Sequence, residues 1–180
     1  MKIESLSYVS IETTDLQEWD DYAKNVVGLM KNESLSDDHN LYLRMDEKAF
    51  RFHIQTGGSK KFIAAGLNIR GKEEFEVAKN ELTSANIDFA DFSDELIAAR
   101  CVKNGITLKD PAGNALEISY GGADADEPFL SPQDIKGFIT KGLGFGHVVF
   151  AAPDLGVAHS FYIDTLGFGD SDYMNFPMGP

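Results

Sequence analysis

Gly144-Phe145-Gly146-His147-Val148-Val149-Phe150 repeats the earlier stretch Leu6-Ser7-Tyr8-Val9-Ser10-Ile11, with a histidine in place of a tyrosine, because position 8 plus 139 is position 147. At the same offset and without a gap, Val9 falls on Val148, Asp15 on Asp154, Leu16 on Leu155, Tyr22 on Phe161, Val27 on Leu166 and Gly28 on Gly167. Both stretches read as strand, helix, glycine stop and strand. A duplicated scaffold whose second copy exchanges tyrosine for histidine suggests one structural copy and one chemical copy.

Working outward, residues 3 to 11 alternate, with Val9 and Ile11 on one face and Leu6, Tyr8 and Ser10 on the other. Asp15 caps a helix that carries Leu16, Trp19, Ala23, Val26 and Val27. Glu18 stands at the capping-box position, and Gly28 ends the helix in a left-handed turn. Strands follow near 28 to 34, 40 to 46 and 50 to 57, parted by polar turns, which makes one β-α-β-β-β module.

After Gly57-Gly58-Ser59 the order restarts with a strand from Phe62 to Ile69 and an amphipathic helix through Phe75, Val77, Ala78, Leu82 and Ala85. Strands are expected at Ile87 to Phe89, Ala98 to Lys103, Ile106 to Lys109 and Asn114 to Tyr120. Asn104-Gly105 and Pro111-Ala112-Gly113 serve as turns, and the acidic run from Asp88 to Glu95 reads as a solvated loop. These two modules form a domain over 1–122. Residues 123–141, rich in Asp, Pro, Gly and Lys without periodicity, read as a linker, and a third module occupies 142–180. It lacks the later strands of the first module, so it reads as incomplete, truncated at Pro180. The fold class is α+β, built of tandem β-α-β-β-β modules.

Composition narrows the function. With 43% hydrophobic and 25% charged residues the 180-residue chain reads as globular, and acidic residues outnumber basic ones 29 to 16 for a net charge of −13, which disfavours nucleic acid as a partner. Neither a signal peptide nor an apolar run long enough for a bilayer is visible, and Cys101 stands alone, so a cytoplasmic protein is expected, with no membrane partner.

Tandem modules of this kind resemble the vicinal oxygen chelate superfamily. Gly28-Leu29-Met30, Asp110-Pro111-Ala112-Gly113-Asn114-Ala115-Leu116-Glu117 with Tyr120-Gly121, and Glu127-Pro128-Phe129-Leu130 are similar to its type I extradiol ring-cleavage dioxygenases. Gly142-Leu143-Gly144-Phe145-Gly146-His147, Phe161-Tyr162, Leu166-Gly167-Phe168 and Met178-Gly179-Pro180 are similar to the opening of the catalytic domain of 2,3-dihydroxybiphenyl 1,2-dioxygenases. The resemblance implies Fe(II) held by two histidines and a glutamate, with His147 matching the first histidine. It also implies a small aromatic diol and O2 as substrates, ring opening beside the diol, and a homo-oligomer. Val149 and Met178 match positions near the substrate, and the remaining ligands and the acid-base residue are expected beyond Pro180.

The complete domain reads differently. Parity puts Tyr8, Ala64 and Glu117 on its concave side and turns Val9, Leu67, Leu116 and Ile118 towards the helices, so iron there is not expected and Glu117 needs a buried partner. His39 sits in a polar turn, His159 on the hydrophilic side of a helix, and His53 shares a face with Arg51 and Gln55. The alternative to an enzyme is a binding or sequestering protein whose metal-free cavity is lined by Tyr8, Arg51, His53 and Glu117.

Overall fold

The computed structural model describes residues 1–141 and 143–174. Its eight strands are β1 (Ile3–Thr13), β2 (Met30–Lys31), β3 (Asn40–Arg44), β4 (Phe52–Thr56), β5 (Lys61–Ile69), β6 (Phe89–Asp91), β7 (Asn104–Lys109) and β8 (Ala115–Tyr120). They form one mixed sheet in the order β2-β3-β4-β1-β5-β8-β7-β6. From the antiparallel β1–β5 seam outward, each half runs first strand, fourth, third, second, and the first and fourth strands pair in parallel. The two β-α-β-β-β modules are thus related by a two-fold at the seam, as the α+β reading expects.

The helices bear out the capping logic. Asp15 Oδ1 accepts a hydrogen bond from Glu18 N at 3.0 Å to open α1 (Leu16–Tyr22), and Gly28, at φ 84°, takes the left-handed conformation that closes it. The last turn widens into a π-turn over Ala23–Val27, with the amides of Gly28 and Leu29 both donating to Ala23 O. The extra residue leaves Val26 facing solvent rather than the core. Glu18 does not complete a capping box; its carboxylate meets Lys60 at 3.2 Å. The third module repeats the device. Asp154 Oδ1 accepts from Val157 N at 3.0 Å, α4 (Leu155–Ser160) runs into a π-turn over Phe161–Thr165, and Gly167 turns at φ 76°.

All helices but one lie on the outer face of the sheet. Phe75, Ala78 and Leu82 of α2 (Lys72–Ser84) pack on Leu67, Ile69, Ile106, Leu116 and Ile118, together with Phe161 and Leu166 of the third module. Val77 is exposed, since two residues on from Phe75, at about 100° each, points nearly opposite. Ala23 and Leu29 cover Leu41, Leu43 and Ile54 in the first half. Leu6 joins the outer core although Tyr8 does not, because β1 shifts register between them and the bulge reverses the expected parity.

Other expectations from the sequence differ from the fold. Ala98 to Lys103 is not a strand: Asp94–Arg100 forms α3, capped by Ser93 Oγ on Leu96 N at 3.2 Å and ended by Cys101 at φ 51°. Asn104-Gly105 lies within β7 rather than in a turn, and the acidic run supplies β6 and the cap of α3 rather than a loop. Residues 144–150 form no strand: β4 pairs with β1 from Val9 onward and β5 takes its other edge, and the backbone bond from Phe145 N to Leu6 O does not extend into a ladder. Residues 123–141 are strapped onto the first module. Ala49 N donates to Ala123 O, Arg44 to Glu127 O, Ser131 to Gly28 O and Gln133 to Lys24 O.

Candidate functional site

The opening of the third module crosses the outer face beside β1. Phe145 N donates to Leu6 O at 2.9 Å, and the Phe145 ring meets Phe52 edge-on at 4.7 Å. Gly144 has φ 73°, and a Cβ there would fall 2.8 Å from Leu6 O, so the crossing requires glycine. Burial alternates along 147–150: Val148 and Phe150 are half-buried against the outer core, while His147 and Val149 are exposed. His147 therefore shares a side with Val149, as parity expects. It lines a cavity of about 610 Å³ with Leu6, Leu67, Asp110, Leu116 and Tyr162, and Val149 stands outside that lining. Met178 lies outside the described residues.

Tyr162 fastens this segment to the first domain. Its hydroxyl donates to Asp110 Oδ2 at 2.9 Å, and burial, reinforced by that carboxylate, holds the phenol well above its ordinary pKa. Asp110 also caps the Pro111-Ala112-Gly113 turn through Ala112 N and Asn114 N, so one carboxylate joins the turn before β8 to the third module. His159, expected to be a surface residue, bonds Asp170 at 3.0 Å and Tyr173 at 3.2 Å.

The concave face of the first domain is closed. Tyr8, Ala64 and Glu117 are buried there as parity expects. Glu117 has the partner its burial demands: Arg100 Nε donates to Oε2 at 2.7 Å and Nη2 to Oε1 at 2.9 Å, and the Tyr8 hydroxyl donates to Oε2 at 2.5 Å. Burial, and then the adjacent Glu117 charge, pushes the Tyr8 phenol well above its ordinary range. Gly66 makes room for that ring, since a Cβ would land 2.2 Å from it.

His53 continues the network. Arg100 Nη1 lies 2.9 Å from Nδ1, and a guanidinium only donates, so Nδ1 is unprotonated and the ring proton sits on Nε2, 3.0 Å from Asn40 Oδ1. Burial and then the Arg100 charge depress His53 to a pKa of about 4. Arg51, also expected to line the cavity, is held by Asp46, with Nη2 at 2.6 Å from Oδ2. The space left beside Tyr8 and Arg100 is about 10 Å³, too little for a ligand and barely one water.

Arg100 is the residue that sequence reasoning missed, having been placed in a strand. Ser93 followed by Asp94 and Glu95, a cap and two first-turn acids, is the signal that could have found its helix. Among the described residues no group of three His, Cys, Asp or Glu side chains could hold a metal ion. His147 alone does not fit a catalytic iron, which needs a face of several ligands.

Paired β-α-β-β-β modules in one cupped mixed sheet define the vicinal oxygen chelate fold. Within it, the dihydroxybiphenyl dioxygenase BphC D1 family matches residues 6–57. A biphenyl-2,3-diol 1,2-dioxygenase of Pseudomonas sp. (strain KKS102) is 36% identical, covering 100% of this chain and 61% of that protein. An iron-dependent extradiol dioxygenase of Rhodococcus jostii (strain RHA1) is 35% identical over 98% of this chain and 58% of its own length. A crystal structure of catechol 2,3-dioxygenase overlays with a TM-score of 0.85 at 31% identity, covering 90% of this chain and 57% of that one. The chain is thus similar to these dioxygenases along its whole length, and it spans about three-fifths of theirs.

Proposed function

We propose that this chain is the non-catalytic domain (1–122), the connecting strap (123–141) and the opening of the catalytic domain (142–180) of an Fe(II)-dependent extradiol dioxygenase. Its substrates are a small aromatic diol of the 2,3-dihydroxybiphenyl type and O2. The observation that carries the reading is the repeat. Cap, helix start and glycine recur at one offset with a π-turn between them in each copy, and the buried, hydrogen-bonded Tyr8 of the first copy is replaced by the exposed His147 of the third.

An exposed imidazole on a cavity wall is free to ligate, which a phenol locked to a carboxylate is not. His147 supplies one iron ligand, and Val149 and Met178 approach the substrate. The described residues supply no group of three ligands around His147. Bound iron, when complete, would draw diol and O2 into one coordination sphere. The closed concave face speaks against the sequestering alternative, because Arg100 fills the proposed ligand space. No described helix is long and apolar enough to cross a membrane. A cytoplasmic homo-oligomer without nucleic-acid partners completes the proposal.

Oxygen uptake tests it. The protein encoded by the reading frame that contains this chain, loaded with Fe(II), should consume one O2 per 2,3-dihydroxybiphenyl, and His147→Ala should abolish uptake while the variant stays folded. Full activity in His147→Ala would refute the assignment.

A further inference from the structure

The concave face of the first domain is built as a cation seat. Three strands converge on one point: Tyr8 and Ser10 from β1, His53 from β4 and Glu117 from β8. At that point lies the guanidinium of Arg100, delivered by α3. It touches both Glu117 oxygens and His53 Nδ1 within 2.7–2.9 Å and lies 5.5 Å from the Tyr8 ring centroid. The Arg100 and Glu117 side chains are each 4% exposed.

Two of these neighbours, Glu117 and His53, are in the state that suits a metal. Glu117 is an ion-paired carboxylate. His53 points a bare Nδ1 lone pair inward while its Nε2–H is held by Asn40 Oδ1, the outer hydrogen bond that fixes the tautomer of ligating histidines. Mixed carboxylate and imidazole donors suit divalent first-row ions. The guanidinium occupies both Glu117 oxygens and the His53 Nδ1 lone pair, the same atoms an ion would need, so the two occupants exclude each other.

The geometry points to Arg100 as a built-in cation that occupies, and thereby blocks, a latent divalent-metal site formed by Glu117 and His53 with Tyr8 and Ser10 beside them. The first domain takes no metal because its own side chain is already there. This inference is independent of the dioxygenase reading, which concerns His147 on the other face.

Co²⁺ titration of the full chain, followed by equilibrium dialysis and visible absorption, tests it by difference, so that ions bound elsewhere appear equally in every variant. Arg100→Ala should bind one equivalent more than wild type, and Arg100→Lys, which keeps a cation in place, should not. Glu117→Gln added to Arg100→Ala should weaken that equivalent by about tenfold or more. If Arg100→Ala does not fold alone, Co²⁺ or methylguanidinium should restore its cooperative unfolding. A folded Arg100→Ala with no extra equivalent, or an unfolded one that neither cation restores, overturns the proposal.

Discussion

His53 accepts a hydrogen bond from Arg100, and its burial, followed by that neighbouring charge, makes the ring a source of acid sensitivity in the first domain. The ring titrates at about 4 in the folded chain against 6.5 unfolded, so the unfolded state binds the proton more readily between those values. The stabilisation is complete above pH 6.5 and is lost as pH falls through 4, amounting to about 3 kcal/mol at about 1.4 kcal/mol per pKa unit. Urea denaturation at pH 7 and pH 4.5 should show this loss in wild type and a smaller one in His53→Gln; equal losses would contradict the depressed pKa of His53. Arg100→Ala, which strands a buried carboxylate, should cost about 3–5 kcal/mol in the same assay. Tyr8→Phe, removing one donor to a charged acceptor, should cost about 1.5–3 kcal/mol.

α3 is the element on which the concave face depends, since it is seven residues long and carries Arg100 at its end. Ser93→Ala removes its only side-chain cap and should lower stability by about 1 kcal/mol. In β5, Gly66→Ala drives a methyl into the Tyr8 ring and should cost about 1–3 kcal/mol by overpacking, read from the denaturation midpoint. Elements with strong local signals were legible in the sequence: Asp15 and Gly28 bound α1, and Phe75, Ala78 and Leu82 place α2 on the core. α3 was not, because its apolar residues are too few to show helical spacing and its cap lay inside an acidic run that reads as solvent-facing. The Leu6–Tyr8 bulge was also hidden, since alternation carries no mark of an extra residue.

At the scale of the whole molecule, the 139-residue repeat made the modular build legible and singled out His147 as the exchanged residue. It could not reveal that 144–150 crosses beside β1 without forming a strand, because a ladder depends on partners distant in sequence, and here the contact stops at Phe145 N to Leu6 O. Nor could it show that the concave face is filled, since Arg100 reaches Glu117 and His53 across separations of 17 and 47 residues. On the proposed reading, the third module carries a metal ligand, and the first domain carries its own cation. Anaerobic Fe(II) titration of the protein containing this chain, wild type against His147→Ala, measures it directly. One iron per chain in wild type and none in the variant is the predicted result; equal iron in both would contradict the account.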